Sequence, residues 1–257
     1  FPFIKLSSRI ISDYQGKLLA SGICDNTIGF YLHNIKALFR KGCREMGLEL
    51  PCPFRDISIK TEKTLKRSLD PVVIKTLSAI ELEKDSPLSL ARDIFMFSFY
   101  TRGMSFVDIA LLKKRHVFPG EICYRRHKTD QLMRVGINKE ISRILERYKN
   151  VPGEYIFPLF PAERDPYAGY RSAYHRIRYS LGKISRVIGL EFPLRLPAAR
   201  HSWATIAKVN GASVHVIGEC LGHTSEKTTR IYLKELDHSA LDAVNNQVAD
   251  FILAVDD

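Results

Sequence analysis

The alternation of apolar and polar residues along this 257-residue chain is helical for most of its length. Ile28, Tyr31, Leu32, Ile35, Leu38, Phe39 and Met46 recur at three- and four-residue steps, which gathers them on one helix face. Asn26 is the expected N-cap of that run and Gly47 its stop. Asp70 then Pro71, followed by Val73, Ile74, Leu77 and Ile80, announces another helix, with proline where no N–H is needed. Residues 90–100 are apolar nearly all round and predict a buried helix. Further helices are expected over 139–148 and over 170–188, where Tyr170, Tyr174, Ile177, Leu181, Ile184 and Ile188 step 4-3-4-3-4. Shorter ones are expected over 198–209, 214–220 and 228–236. The period changes to two around 122–126, and with 133–137 this predicts a hairpin turning at Thr129-Asp130. The expected fold class is therefore mainly α with a small antiparallel β-sheet (α+β).

Pro51, Pro53 and the polar stretch 60–67 read as a linker, which divides the chain into 1–65 and 66–257. The net charge of +11 is shared: 10 basic against 6 acidic residues before residue 66, 29 against 22 from there on. Positive charge on both parts suits a polyanion, because each neutralised phosphate releases counterions. Charge alone leaves a merely basic protein as open as a nucleic-acid binder. Lys36, Arg40 and Arg44 lie opposite the apolar face of the first helix, and Arg171 and Arg178 fall on the 170–188 helix. With Arg102, these are the candidate DNA-backbone contacts, although a basic stripe is more often simply solvated. The cysteines Cys24, Cys43, Cys52, Cys123 and Cys220 form no C-x-x-C pair, which argues against a disulfide framework or a metal site. Cys220 and His223 have ligand-like spacing but no second pair to complete a zinc site. No signal peptide opens the chain and no apolar run is long enough to span a bilayer, so no membrane is expected and the reducing cytoplasm is. Residues 235–257 hold six acidic residues and no Lys or Arg, around an apolar stripe of Leu241, Val244, Val248, Phe251 and Ile252. DNA would repel such a helix, so it is expected to pack on protein, first of all its own.

The chemistry concentrates in three pieces: Ala199-Arg200-His201-Ser202-Trp203-Ala204-Thr205, Leu221-Gly222-His223-Thr224-Ser225, and Thr228-Thr229-Arg230-Ile231-Tyr232. In this order and spacing they resemble the catalytic signature of the tyrosine recombinases, the phage integrase family. Any one piece would be structural more often than catalytic; three together are specific. Lys128, in Arg126-His127-Lys128-Thr129-Asp130 at the predicted strand end, is similar to the hairpin lysine of that family. The resemblance spans essentially the whole chain. It implies a helical, SAM-like core-binding domain over 1–65 and a catalytic domain over 66–257, the two forming a clamp round duplex DNA.

By the same resemblance, Tyr232 attacks a phosphodiester to give a 3′-phosphotyrosine and a free 5′ hydroxyl, which lets another strand end attack and reseal. A phenol is a weak nucleophile near neutrality and needs positioning beside cations. Arg200 suits the charge that develops on the non-bridging oxygens. His223 hydrogen-bonds the phosphate or manages the tyrosine proton, and Lys128 protonates the leaving oxygen. Neither cofactor nor metal is implied. The implied partners are double-stranded DNA attachment sites, a homo-tetramer on paired sites, and accessory DNA-bending proteins. The implied setting is the integrase of a mobile element, acting in the bacterial cytoplasm at the nucleoid.

Two positions depart from the family pattern. Ser105 occupies the slot where an arginine usually precedes the acidic residue, here Asp108. Arg126, two residues from Lys128 and so on the same strand face, is the expected replacement, with Arg102 second. Pro197 stands where the family often has a histidine, and His201 is expected to be structural because the next helical residue turns about 100° from Arg200. Those departures are what an alternative reading would cite, that of a catalytically impaired DNA-binding protein on the same scaffold. A single-strand-nicking topoisomerase shares the chemistry, and a basic nucleic-acid-binding module would treat Tyr232 as core.

Overall fold

The computed structural model describes residues 2–60, 62, 68–160, 166–223 and 225–233. The acidic stripe of 235–257, most of the polar stretch 60–67 and Thr224 lie outside them. The chain divides into two compact units, residues 1–65 and 66–257.

In the first unit, α1 (Ser8–Ala20) packs on α2 (Asp25–Glu45). Helix α1 begins at Ser7, whose hydroxyl accepts the Ile10 N–H. Its sequence hides it: Ile11 is its one buried residue, and Gly16 interrupts the run. The start of α2 corrects the expected cap. Cys24 holds that position, and the Asn26 side chain instead binds the Glu62 backbone in both directions, at 3.0 Å each. Gly47, at φ +62°, ends the helix as expected. Ile28, Leu32 and Phe39 are buried, whereas Leu38 and Met46 of the same predicted face are exposed. A second correction concerns the proline segment. Pro53 and Phe54 are buried, and Phe54 joins Ile11, Ile28 and Leu32 in the core of this unit, so the segment is packed structure and not linker.

The second unit is built round α4 (Pro87–Tyr100), which packs on α3 (Pro71–Ala79), α6 (Lys139–Tyr148), α7 (Pro166–Val187) and α8 (Leu196–Val209). That is why its sequence is apolar on every side: Ile94, Phe95 and Phe97 are fully buried. Asp70 caps α3 through the Val72 N–H at 2.8 Å. Asp93 puts a charge in this core. Asp93 accepts from Arg92 Nε at 2.7 Å, from the Tyr148 hydroxyl at 2.8 Å and from Arg147 Nη1. Burial and the neighbouring Asp93 push the Tyr148 phenol far up, so it stays a donor.

The hairpin has strands β1 (Val117–Phe118), β2 (Glu121–Arg125) and β3 (Leu132–Gly136), antiparallel in that order. Ile122 pairs with Val135 and Tyr124 with Met133, and these four buried residues share one face. The Arg126 N–H to Gln131 O bond, 2.9 Å, continues the ladder one step, so the turn spans 127–130 and is longer than expected. Lys128 lies within this turn, not on the strand end, and strand alternation therefore does not set its direction. Among the described residues, this unit also holds the shorter α-helices α5 (Phe106–Ala110), α9 (Val214–Cys220) and α10 (Glu226–Arg230). Among the described residues no helix is long and apolar enough to cross a membrane.

Candidate active site

After α4 the chain reverses through two consecutive left-handed residues, Arg102 at φ +61° and Gly103 at φ +75°. The second must be glycine. A Cβ there would lie 2.5–2.7 Å from Cγ, Cβ and Cα of Arg200, so its absence lets α8 approach the turn closely. Arg200 Nη1 donates to the Gly103 carbonyl at 2.8 Å. Nη2 donates to the Leu221 carbonyl and lies 2.9 Å from His223 Nε2. Its Nε is buried and has no hydrogen-bond partner. Burial, and then the charge of Arg126, push the Arg200 pKa down to about 10, which leaves it charged near neutrality. A buried cationic donor with an unused N–H is what an incoming anion would complete.

His223 follows α9 through Gly222, left-handed at φ +63°. Its Nδ1 is 3.0 Å from Oγ1 of Thr229, a fully buried residue of α10. Burial first, then the charges of Arg200, Arg126 and Lys128, push its pKa down to about 4. The imidazole is therefore neutral at ordinary pH. Arg126 Nη1 donates to the Gly222 carbonyl at 2.6 Å. The two arginines thus grip the carbonyls of consecutive residues, Leu221 and Gly222.

Asp108 anchors the hairpin end. Its carboxylate, buried in α5, accepts the His127 N–H at 2.7 Å and the Ser105 hydroxyl at 2.5 Å. Ser105, in the slot expected for an arginine, is the N-cap of α5 and also accepts the Asp108 N–H. Its hydrogen bonds are local and supply no charge.

Tyr232 lies two residues beyond α10, with its ring surrounded by three groups of its own chain. The His201 ring stacks on it at 4.8 Å and 24°, the His223 ring tilts against it at 5.0 Å, and the Arg200 guanidinium carbon sits 5.2 Å from its centroid. Trp203 packs half-buried against the same small apolar cluster.

The structure thus brings together Arg200, His223, Tyr232 and Arg126, and places Lys128 close enough for its charge to act on His223. Arg102 is half-buried beside Gly103. Arg171 and Arg178 are exposed on α7. In the first unit Arg40 and Arg44 are exposed, and the Lys36 ammonium is 6.0 Å from the Phe54 ring centre. Four participants escape the sequence reading: Gly103, Asp108, His201 and Thr229. Asp108 is legible only as the acidic marker of the Ser105 slot, not as the anchor of the hairpin end, and Thr229 could have been found by its place one helical turn before Tyr232. Nothing local marks Gly103 or His201. The 100° turn away from Arg200 expected of His201 says nothing of what it faces, and it faces Tyr232.

The phage integrase family matches residues 68–238. Tyrosine recombinase XerC of Shewanella oneidensis is 26% identical over 226 residues, 84% of this chain and 70% of XerC. Tyrosine recombinase XerD of Pseudomonas putida is 35% identical over 94 residues, 34% of this chain and 30% of XerD. Among solved structures, the Tn1549 transposon integrase in complex with circular intermediate DNA superposes with a TM-score of 0.69 at 15% identity, over 95% of this chain and 86% of that one. A lambda integrase dimer bound to a COC′ core site gives 0.68 at 16% identity, over 92% and 84%. Fold and relatives together define the class as a DNA-recombining enzyme of the tyrosine type. The chain belongs to the phage integrase family, and its function is that of a site-specific recombinase.

Proposed function

We propose that this protein is the integrase of a mobile genetic element, which cuts and rejoins double-stranded DNA attachment sites through a 3′-phosphotyrosine at Tyr232. The observation that carries the reading is the packing of the Tyr232 ring against Arg200, His201 and His223, beside the unpartnered Arg200 Nε–H. The Tyr232 hydroxyl attacks phosphorus, Arg200 neutralises the non-bridging oxygens, and Lys128 gives a proton to the departing 5′ oxygen. Arg126 supplies the second cation that Ser105 does not, and its position 2.6 Å from the Gly222 carbonyl favours it over Arg102. Because Tyr232 is packed in its own chain's cluster, it serves the site of its own subunit.

In this reading residues 1–65 are the core-binding domain and 66–257 the catalytic domain. Lys36, Arg40, Arg44, Arg102, Arg171 and Arg178 contact the DNA backbone. The working unit is a homo-tetramer on paired sites, aided by DNA-bending proteins, in the bacterial cytoplasm at the nucleoid.

The test is a nicked suicide substrate carrying the element's own attachment site, resolved on a denaturing gel. Wild-type protein is expected to give a covalent adduct, and Tyr232→Phe none. Binding without any adduct would instead identify a DNA-binding protein that has lost catalysis. Arg126→Ala is expected to lose cleavage and Arg126→Lys to keep part of it; full cleavage by Arg126→Ala would remove Arg126 from the site.

A further inference from the structure

Two hydrogen bonds fix the tautomer of His223. An arginine N–H can only donate, so Nε2, 2.9 Å from Arg200 Nη2, must present its lone pair. The imidazole hydrogen is then on Nδ1, where the Thr229 hydroxyl oxygen, 3.0 Å away, accepts it. Thr229 is fully buried, and a Cβ on Gly218 would lie 2.9 Å from its Oγ1, so the hydroxyl is held in place from the α9 side as well. The groups facing the ring are Arg200 from α8, Arg126 and Lys128 from the hairpin end, and Tyr232. Three of these are cations, and none favours a charged imidazole.

From this geometry we infer that His223 enters the reaction as the base that takes the Tyr232 proton, and that Thr229 is the positioning residue that makes it so. The inference rests on the recombinase reading above and chooses between the two roles open to this histidine. A neutral ring with hydrogen on Nδ1 has nothing on Nε2 to donate to a phosphate oxygen; it can only accept there. In the substrate-free protein Arg200 occupies that lone pair. When a phosphate draws the Arg200 N–H to its own oxygen, the lone pair is released beside Tyr232. The phenol proton then passes to Nε2, the phenolic oxygen bonds to phosphorus, and the P–O5′ bond breaks with its electron pair on oxygen. That oxygen takes a proton from Lys128. His223 and Lys128 finish the step one proton richer and one poorer, and resealing runs the transfers backwards. With Pro197 where a histidine is usual, no other imidazole is needed for this task.

The test uses the full chain labelled with ¹⁵N-histidine. At neutral pH the His223 signals, assigned by their loss in His223→Gln, are expected to show hydrogen on Nδ1 and a bare Nε2. Hydrogen on Nε2 would overturn the inference. On the suicide substrate Thr229→Val is expected to cleave about 10- to 100-fold slower, as when other groups that orient a functional imidazole are removed, with DNA affinity unchanged. Thr229→Ser is expected to restore the rate. Wild-type cleavage by Thr229→Val would overturn the positioning role. Should that variant fail to fold, the wild-type spectrum and Thr229→Ser still decide. A substrate with sulfur at the 5′ bridging position, whose leaving group needs no proton, separates the roles further. His223→Gln is expected to remain slow on it, and recovery would make His223 an acid and not a base. An adduct with the wrong tautomer defeats this inference alone, whereas no wild-type adduct defeats the recombinase reading beneath it.

Discussion

Gly103→Ala isolates the closest approach in the site. Two effects add. An L-residue at φ +75° is strained by about 1–2 kcal/mol. The new methyl, 2.5–2.7 Å from three carbons of Arg200 including Cα, must also push the turn and α8 apart, an overpacking worth about 1–3 kcal/mol. Gly120 supplies a control, since it has φ +84° and a methyl placed there would meet nothing within 4 Å. Gly120→Ala should therefore show the strain alone. At about 2–4 °C per kcal/mol for a unit of this size, mid-range values give a Tm lowered by about 3–6 °C for Gly120→Ala and about 7–14 °C for Gly103→Ala. The second variant should also lose cleavage, because Arg200 takes its aim from the Gly103 carbonyl and a misplacement of about 1 Å costs about 10²-fold. Thermal melts of both variants and single-turnover cleavage on the suicide substrate give the answer. Equal melting temperatures with wild-type cleavage by Gly103→Ala would refute the reasoning.

Three further outcomes are expected. If Lys128 protonates the leaving oxygen as proposed, Lys128→Ala should cleave ordinary DNA poorly and recover on the 5′-bridging sulfur substrate; an unrepaired defect would assign the lysine another task. The folded-state pKa of His223, about 4, lies below its ordinary 6.5, so the unfolded chain binds the extra proton first. The contribution of His223 is complete above about pH 6.5 and is lost as pH falls toward about 4; urea melts across this window should show a shallower decline for His223→Gln, and parallel curves would count against it. Asp93→Ala strands Arg92 and the Tyr148 hydroxyl in the core and should lower stability by about 3–5 kcal/mol in urea denaturation, with a near-neutral result contradicting the network.

Legibility from sequence follows the range of the interactions involved. Helices α4, α6 and α7 are readable because each repeats one buried face, or all faces, over several turns. Helix α1 buries one side chain and gives no period to read. Pro53 and Phe54 look like punctuation because prolines crowd the segment, and only the fold shows Phe54 closing a core with residues from both helices. The two-residue strand β1 is too short to alternate. Within the site, Arg200, His223 and Tyr232 can be found because their motifs are contiguous. Gly103 cannot, since its partner Arg200 is 97 residues away. The Ser105 slot is readable as a missing charge, but its use as a helix cap and as a donor to Asp108 depends on where α5 begins.

The grip of Arg126 and Arg200 on neighbouring carbonyls has an energetic side. Burial, and then the charge of Arg126, push the Arg200 pKa down, so each guanidinium is clamped where the other opposes its charge. The Leu221 and Gly222 carbonyls hold the two cations in place against that opposition. On the proposed function, a scissile phosphate bound between the arginines would relieve that repulsion, and part of its affinity would come from an arrangement the fold already imposes. On that reading, recognition of the reacting phosphate and stabilisation of the catalytic unit would be one event.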